Sequence, residues 1–138
     1  MPEPVATRAT LTRWSISIAA VLLFLIGILH AVVNVRSIRG LMARGVIAER
    51  FGLQMLANVA FGGAMLSLLG LILLLVAYGL PRGGRPLWWI GVLVGVFLVA
   101  FGVAGYLLQP VPTVFLFSAL GALVCVPLLL WRRDLVAP

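Results

Sequence analysis

Apolar positions in this chain come in long unbroken runs, and the polar positions fall almost entirely between them. A helix needs about 20 residues to cross a hydrocarbon core about 30 Å thick. Four runs are long enough: Trp14–Val35, approximately Leu53–Leu80, approximately Leu87–Leu108, and Val114–Trp131. Backbone in lipid must satisfy its own hydrogen bonds, so each run is predicted to be helical. The alternating segments of about ten residues that a membrane β-barrel needs are absent. Pro81-Arg82-Gly83-Gly84-Arg85-Pro86 and Gln109-Pro110-Val111-Pro112-Thr113 are short turns that force adjacent, antiparallel helix pairs. The pattern predicts an all-α fold, an integral membrane antiparallel bundle of four transmembrane helices in a single domain over residues 1–138.

The first connection reads differently. Wound as a helix, Arg36 to Arg50 places Val35, Ile38, Leu41, Met42 and Val46 on one side and Arg36, Arg39, Arg44 and Arg50 on the other. That is the pattern of a short helix lying in the membrane interface between helices one and two. Gly40 and Gly45 weigh against it, since glycine is a poor helix former, and a solvated loop is the alternative.

Small residues follow helical spacing in two runs. Gly91, Gly95, Gly102 and Gly105 form a face on helix three, and Gly63, Ser67 and Gly70 do so on helix two. Such faces let backbones approach closely in lipid, and packing within the bundle is expected ahead of a dimer surface. Pro127 is expected to bend helix four, with neighbours satisfying the backbone groups it frees. A duplicated helix pair can be sought by aligning Phe24-Leu25 with Phe97-Leu98, but the match soon fails.

Composition agrees with the pattern. The apolar set makes up 64% of residues, charged residues 9%, and mean hydropathy is +1.25. A soluble domain is about a quarter charged, so this chain lacks the charge to cover a surface in water. All ten basic residues are arginine, and the pI is near 11.6. They flank the apolar runs instead of forming one basic stripe, which favours membrane lipids and gives no case for nucleic acid. Cys125 is the only cysteine, so an intrachain disulfide and a cysteine-cluster metal site are excluded. Arg8 and Arg13 ahead of an apolar run resemble a signal peptide. The run exceeds the roughly 7–15 residues of a signal core, so a retained first helix is expected.

Four helices would put both termini on one side, with Arg8, Arg13, Arg82, Arg85, Arg132 and Arg133. Arg36, Arg39, Arg44 and Arg50 collect on the other. Six arginines against four favour cytoplasmic termini.

Sorted by depth, the polar residues gather in one leaflet, opposite the termini. His30 and Asn34 are four residues apart near the end of helix one, and Gln54 and Asn58 are four apart near the start of helix two. Tyr106 and Gln109 close helix three, and Thr113 and Ser118 open helix four. Intramembrane polar groups usually face an interior or a cavity, so a polar pocket open to one surface is one expectation. A plain interhelical network, with Tyr, Gln and Thr at the headgroups, is the other.

Several chemistries are set aside. His30 is the only histidine, so haem cannot be held by two histidines of this chain, and a single axial histidine has no supporting motif. The acidic residues are Glu3, Glu49 and Asp134, of which only Glu49 could reach the polar set, so a hydrolase triad and a carboxylate proton relay are disfavoured. Arg82-Gly83-Gly84-Arg85 is a turn and not a phosphate loop.

Gly27-Ile28-Leu29-His30-Ala31, the basic connection, Phe61-Gly62-Gly63 and the late Gln109-Pro110-Val111-Pro112 turn together resemble the small four-helix membrane proteins grouped as DoxX-like. The resemblance covers roughly residues 14 to 131. It implies a compact four-helix bundle in a bacterial cytoplasmic (inner) membrane, with His30 matching a helix-one histidine found in some members. The group is named for a subunit associated with quinone-linked oxidation, and no catalytic residue carries over.

The leading expectation is a non-catalytic or accessory membrane protein that contacts a lipid, quinone or other lipophile, with the cofactor unknown. His30, Asn34, Gln54, Asn58, Tyr106 and Gln109 would bind it, and Arg36, Arg39 and Arg50 would hold anionic headgroups. The alternatives are a structural subunit of a larger membrane complex or homo-oligomer, a small enzyme using His30 as acid or base, and a transporter.

Overall fold

Apolar runs of this length have one way to bury their backbone polar groups in lipid, and the chain takes it. The structure is a computed structural model that describes residues 5–135. Glu3 lies outside the described residues, and so does the side chain of Arg82. In chain order the elements are α1 (Val5–Ala43), α2 (Glu49–Pro81), α3 (Gly84–Leu108), a 3₁₀ turn (Pro112–Val114), α4 (Phe115–Leu130) and α5 (Arg132–Leu135). No strand forms among the described residues.

Among the described residues, four helices are long and apolar enough to cross a membrane. Only 22–33% of each span's most apolar window is buried by the chain itself, so the rest of that surface requires lipid as its solvent. This is an integral membrane protein.

Each helix end has a local cause. Gly45 stops α1: at φ 69° it donates its N–H to the Met42 carbonyl at 2.9 Å, and Val46 donates to the Leu41 carbonyl at 3.0 Å. These two bonds close the last turn on a left-handed residue, a conformation that glycine adopts without a side-chain clash. The segment from Arg36 is therefore not a separate interfacial helix. Through Ala43 it is the end of α1, and α2 starts at Glu49. Between α2 and α3 the break is Gly84, with φ 54° and ψ −133°, inside the turn expected from its flanking prolines.

The chain forms two compact units, one of residues 22–71 and the other of residues up to 21 together with those from 72 onward. Residues 22–71 are a helical hairpin made from the second half of α1, the Arg44–Ala48 turn and most of α2. Its two helices touch through small residues. A methyl group added at Gly63 would come within 2.6 Å of the Gly27 carbonyl oxygen and 2.7 Å of Ala31 Cβ. One added at Gly27 would meet the Gly63 carbonyl oxygen at 2.6 Å. The Ser67 hydroxyl donates to the Phe24 carbonyl at 3.2 Å. Nearer the turn, Met42 lies over Gly52.

In the other unit, α3 and α4 pack along most of their length. Methyl groups at Gly95 and Gly121 would run into the opposite backbone, at 3.2 Å and 2.5 Å from the facing glycine carbonyl oxygen. Gly102 accommodates Ser118, and Gly105 lies against Val114. The glycine face of α3 thus serves packing inside the bundle, as its spacing indicates.

Three side chains donate to carbonyls across the α3–α4 pair. Ser118 Oγ donates to Val99 O at 3.0 Å, the Cys125 thiol to Val92 O at 3.7 Å, and the Trp88 indole to Leu128 O at 2.8 Å. Pro127 has no N–H to give the Leu123 carbonyl one turn back. Ser15 of α1 supplies the missing donor at 2.6 Å. At the chain ends, Arg8 pairs with Asp134 at 2.9 Å, and the Arg132 guanidinium stacks 5.0 Å from the Trp88 ring.

Candidate functional site

The helices place the sequence-selected polar residues unevenly. His30 and Asn34 are one turn apart on α1, and Asn34 Nδ2 lies 2.8 Å from the His30 carbonyl oxygen and 3.3 Å from its Nδ1. Asn34 can thus cap both the backbone and the ring of His30, and the ring itself remains exposed.

Gln54 and Asn58 are exposed on α2. The face of α2 that packs on α1 is marked by Gly52, against Met42, and Gly63, against Gly27 and Ala31. At 100° per residue, Gln54 falls about 160° from Gly52, and Asn58 about 140° from Gly63. Within the hairpin both amides therefore point away from α1, and the hairpin does not gather His30, Asn34, Gln54 and Asn58 around one cavity.

Tyr106 and Gln109 belong to the other unit. The Tyr106 ring packs against Phe115, with centroids 4.5 Å apart, and Gln109 is exposed just past the last turn of α3. Arg36, Arg39 and Arg50 are exposed. Ser118 is committed to the Val99 carbonyl, and among the described residues no three metal-ligating side chains come together.

Besides a depression of about 250 Å³ that Arg13 and Asp134 line together, two others in the unit containing α3 and α4 were not marked by the polar pattern. The first is an open groove of about 630 Å³ between the start of α1 and α4. Leu11, Ala122, Leu123, Val126 and Leu130 line it, with Ala119 toward the start of α4 and Trp131 at its end. Ser15 is its main polar residue, and its hydroxyl is already engaged by Leu123. The second is a smaller cleft of about 230 Å³ bounded by Thr10, Arg13, Trp14, Ser17 and Tyr78. There the Arg13 guanidinium lies 4.5 Å from the centroid of the Tyr78 ring.

Sequence reasoning missed the groove because its walls are ordinary apolar residues. The one available signal was Pro127, whose orphaned Leu123 carbonyl calls for a donor from another helix. The cleft had a signal in its spacing, with Thr10, Arg13, Trp14 and Ser17 on one face of a helix.

The chain matches no protein-family model, no curated protein and no solved structure. The DoxX-like resemblance rests on the sequence segments that carry it, and function has to be argued from the site.

Proposed function

We propose that this small integral membrane protein is non-catalytic and holds a lipophilic molecule, with the α1–α4 groove receiving its hydrocarbon chain. The groove carries the reading. In lipid, an open channel lined by Leu11, Ala119, Ala122, Leu123, Val126 and Leu130 is filled by hydrocarbon. Its polarity is graded, because Trp131, which Arg132 and Arg133 follow in the chain, stands at one end and Ala119 at the other. An aromatic and basic end matches a headgroup, and an apolar end matches a tail. With so few polar groups in the lining, the groove suits an acyl or isoprenoid chain and offers little to a quinone ring.

The one-sided polar set then has a simpler account. At 1.5 Å per residue, the 38-residue span of α1 is about 57 Å long and the 33-residue span of α2 about 50 Å, against about 30 Å of hydrocarbon. Counting about 20 residues from Trp14, or back from Leu80, leaves Asn34, Arg36, Arg39, Arg50, Gln54 and Asn58 beyond the hydrocarbon. They would meet headgroups and water, with His30 at the boundary.

The test is native mass spectrometry of the protein released from its own membrane in mild detergent. A bound small lipophile is expected, lost when Ala122→Leu fills the groove and retained in His30→Ala and Asn58→Ala. Loss in the latter two, with retention in Ala122→Leu, would move the ligand to the polar set. A stoichiometric protein without any lipophile would instead make the chain an accessory subunit, with a partner helix lying over Ala119 and Ala122.

A further inference from the structure

We infer that the cleft formed by Thr10, Arg13, Trp14, Ser17 and Tyr78 is a binding site for a singly charged phosphate ester, the headgroup of an anionic phospholipid. It is separate from the groove described above: Leu11 and Ser15 face the groove, whereas Thr10, Arg13, Trp14 and Ser17 line the cleft on another face of α1. Neither site depends on the other.

The depth is right for a headgroup. Arg13 is the last charge before the apolar run of α1, and Tyr78 stands one turn before Pro81 at the end of α2. Trp14 is 65% exposed and Tyr78 56% exposed, as expected of aromatic residues at the membrane–water boundary. An acyl chain attached to a headgroup here would continue along the apolar surface of α1, where Ile18 and Val21 are exposed.

The chemistry is also right. The cation–π contact with Tyr78 holds the Arg13 guanidinium at the cleft, and no hydrogen bond among the described residues engages its N–H groups, which leaves them available for paired bonds to two phosphate oxygens. Asp134, which with Arg13 lines a neighbouring depression, is paired with Arg8 at 2.9 Å, and among the described residues no carboxylate forms an ion pair with Arg13. None of the hydrogen bonds among the described residues uses the Ser17 or Tyr78 hydroxyl, whereas Thr10 donates its own to the Ala6 carbonyl at 2.9 Å. The donors toward an anion are therefore Arg13, Ser17 and Tyr78, and Thr10 supplies wall. A zwitterionic head would bring a cation toward Arg13, so phosphatidylcholine is disfavoured.

The full-length protein in mild detergent is titrated with phosphatidylglycerol and with phosphatidylcholine, and occupancy is read by native mass spectrometry. Wild type is expected to favour phosphatidylglycerol by about fivefold or more, the effect of one interfacial arginine. Arg13→Gln should abolish the preference, Arg13→Lys should retain part of it, and Tyr78→Phe should weaken it by less than Arg13→Gln. Arg44→Gln, in the exposed turn after α1 and outside both the cleft and the groove, should leave it intact. Equal binding of the two lipids by wild type, or an unchanged preference in Arg13→Gln, overturns the site. A thermal melt of each variant separates lost binding from lost folding, and Arg13→Lys is the control if Arg13→Gln does not fold. Soluble glycerol 3-phosphate serves as competitor. Displacement at millimolar concentration would assign the cleft to free phosphate esters and overturn the lipid assignment, whereas persistence of phosphatidylglycerol supports it.

Discussion

The α1–α2 hairpin and the α3–α4 pair cross by the same set of contacts. Gly27 faces Gly63 in the first as Gly95 faces Gly121 in the second, with each glycine against the other's carbonyl oxygen. Ala31 in one pair stands where Val99 stands in the other, against the second glycine. Ser67 donates to Phe24 O, three residues before Gly27, and Cys125 donates to Val92 O, three residues before Gly95. A helical side chain covers the turn on its N-terminal side, so a glycine leaves that turn's carbonyl uncovered for a donor on the facing helix. Ser118, donating to Val99 O beside Gly102, repeats the device a third time.

The difference lies in what surrounds the crossing. In the α3–α4 pair it is flanked by Gly91 against Leu128, Gly102 against Ser118, and Gly105 against Val114, with Trp88 bonded to Leu128 O. In the hairpin, the crossing is followed by exposed polar residues, Gln54 and Asn58 on α2 and Arg36 and Arg39 on α1. One pair is packed at glycine after glycine along its length, whereas the hairpin is held at the crossing and again where Met42 covers Gly52 near the turn. The same local chemistry can therefore support a rigid pair or a looser one, according to how often it recurs.

The largest effect that would break this comparison is steric. Gly121→Leu and Gly63→Leu both drive a side chain into facing backbone, at about 1–3 kcal/mol or more. Gly121→Leu should cost more, because adjacent glycine contacts hold α3 and α4 on both sides of the crossing, while the hairpin's next contact, Met42 over Gly52, lies about three turns away. Unfolding in mixed detergent–denaturant micelles, followed by circular dichroism, measures both, and equal losses would erase the distinction.

Next comes the carbonyl that Pro127 orphans. Ser15→Ala should cost about 1–3 kcal/mol, since it leaves Leu123 O without a partner. In a Pro127→Ala background the helix regains an N–H for that carbonyl, and the same serine change should cost clearly less. A double-mutant cycle with no coupling would show that Ser15 acts through something other than the orphaned group.

Gly45→Ala should cost about 1–2 kcal/mol, by forcing a side chain into the left-handed stop of α1. Gly40→Ala, in open space within the helix, should be neutral or stabilising by up to about 1 kcal/mol. Reversal of that order would mean that α1 does not end at Gly45.

The smallest effect compares the donors themselves. Ser67→Ala should lose about 0.6 kcal/mol, the average for hydrogen bonds between helices in lipid. Cys125→Ala should lose its thiol bond, the weaker of the two, together with buried sulfur packing. A Ser67→Ala loss several times larger would show that the hairpin depends on one hydroxyl.

By itself the sequence determined the solvent, the fold class and the helix pairs. Runs of about 20 apolar residues with arginine flanks leave lipid and helix as the joint solution, and Pro81–Pro86 and Gln109–Thr113 leave little freedom in connection. The spacing of Gly91, Gly95, Gly102 and Gly105 also announced a packing face, because helical period alone sets it. The tertiary structure decided what spacing cannot carry. Gly45 inside an otherwise helical pattern ends α1 only because its left-handed conformation is paired with two specific backbone bonds.

The polar set was visible by depth but not by direction. Gln54 and Asn58 share a face with each other, yet which way that face turns depends on Gly63 meeting Gly27 some 36 residues away. The groove and the Arg13–Tyr78 cleft arise where residues distant in the chain are brought side by side. Apolar helices have many near-equivalent ways to associate in lipid. The close contacts of a few small residues select one, and only then do neighbouring side chains acquire a site.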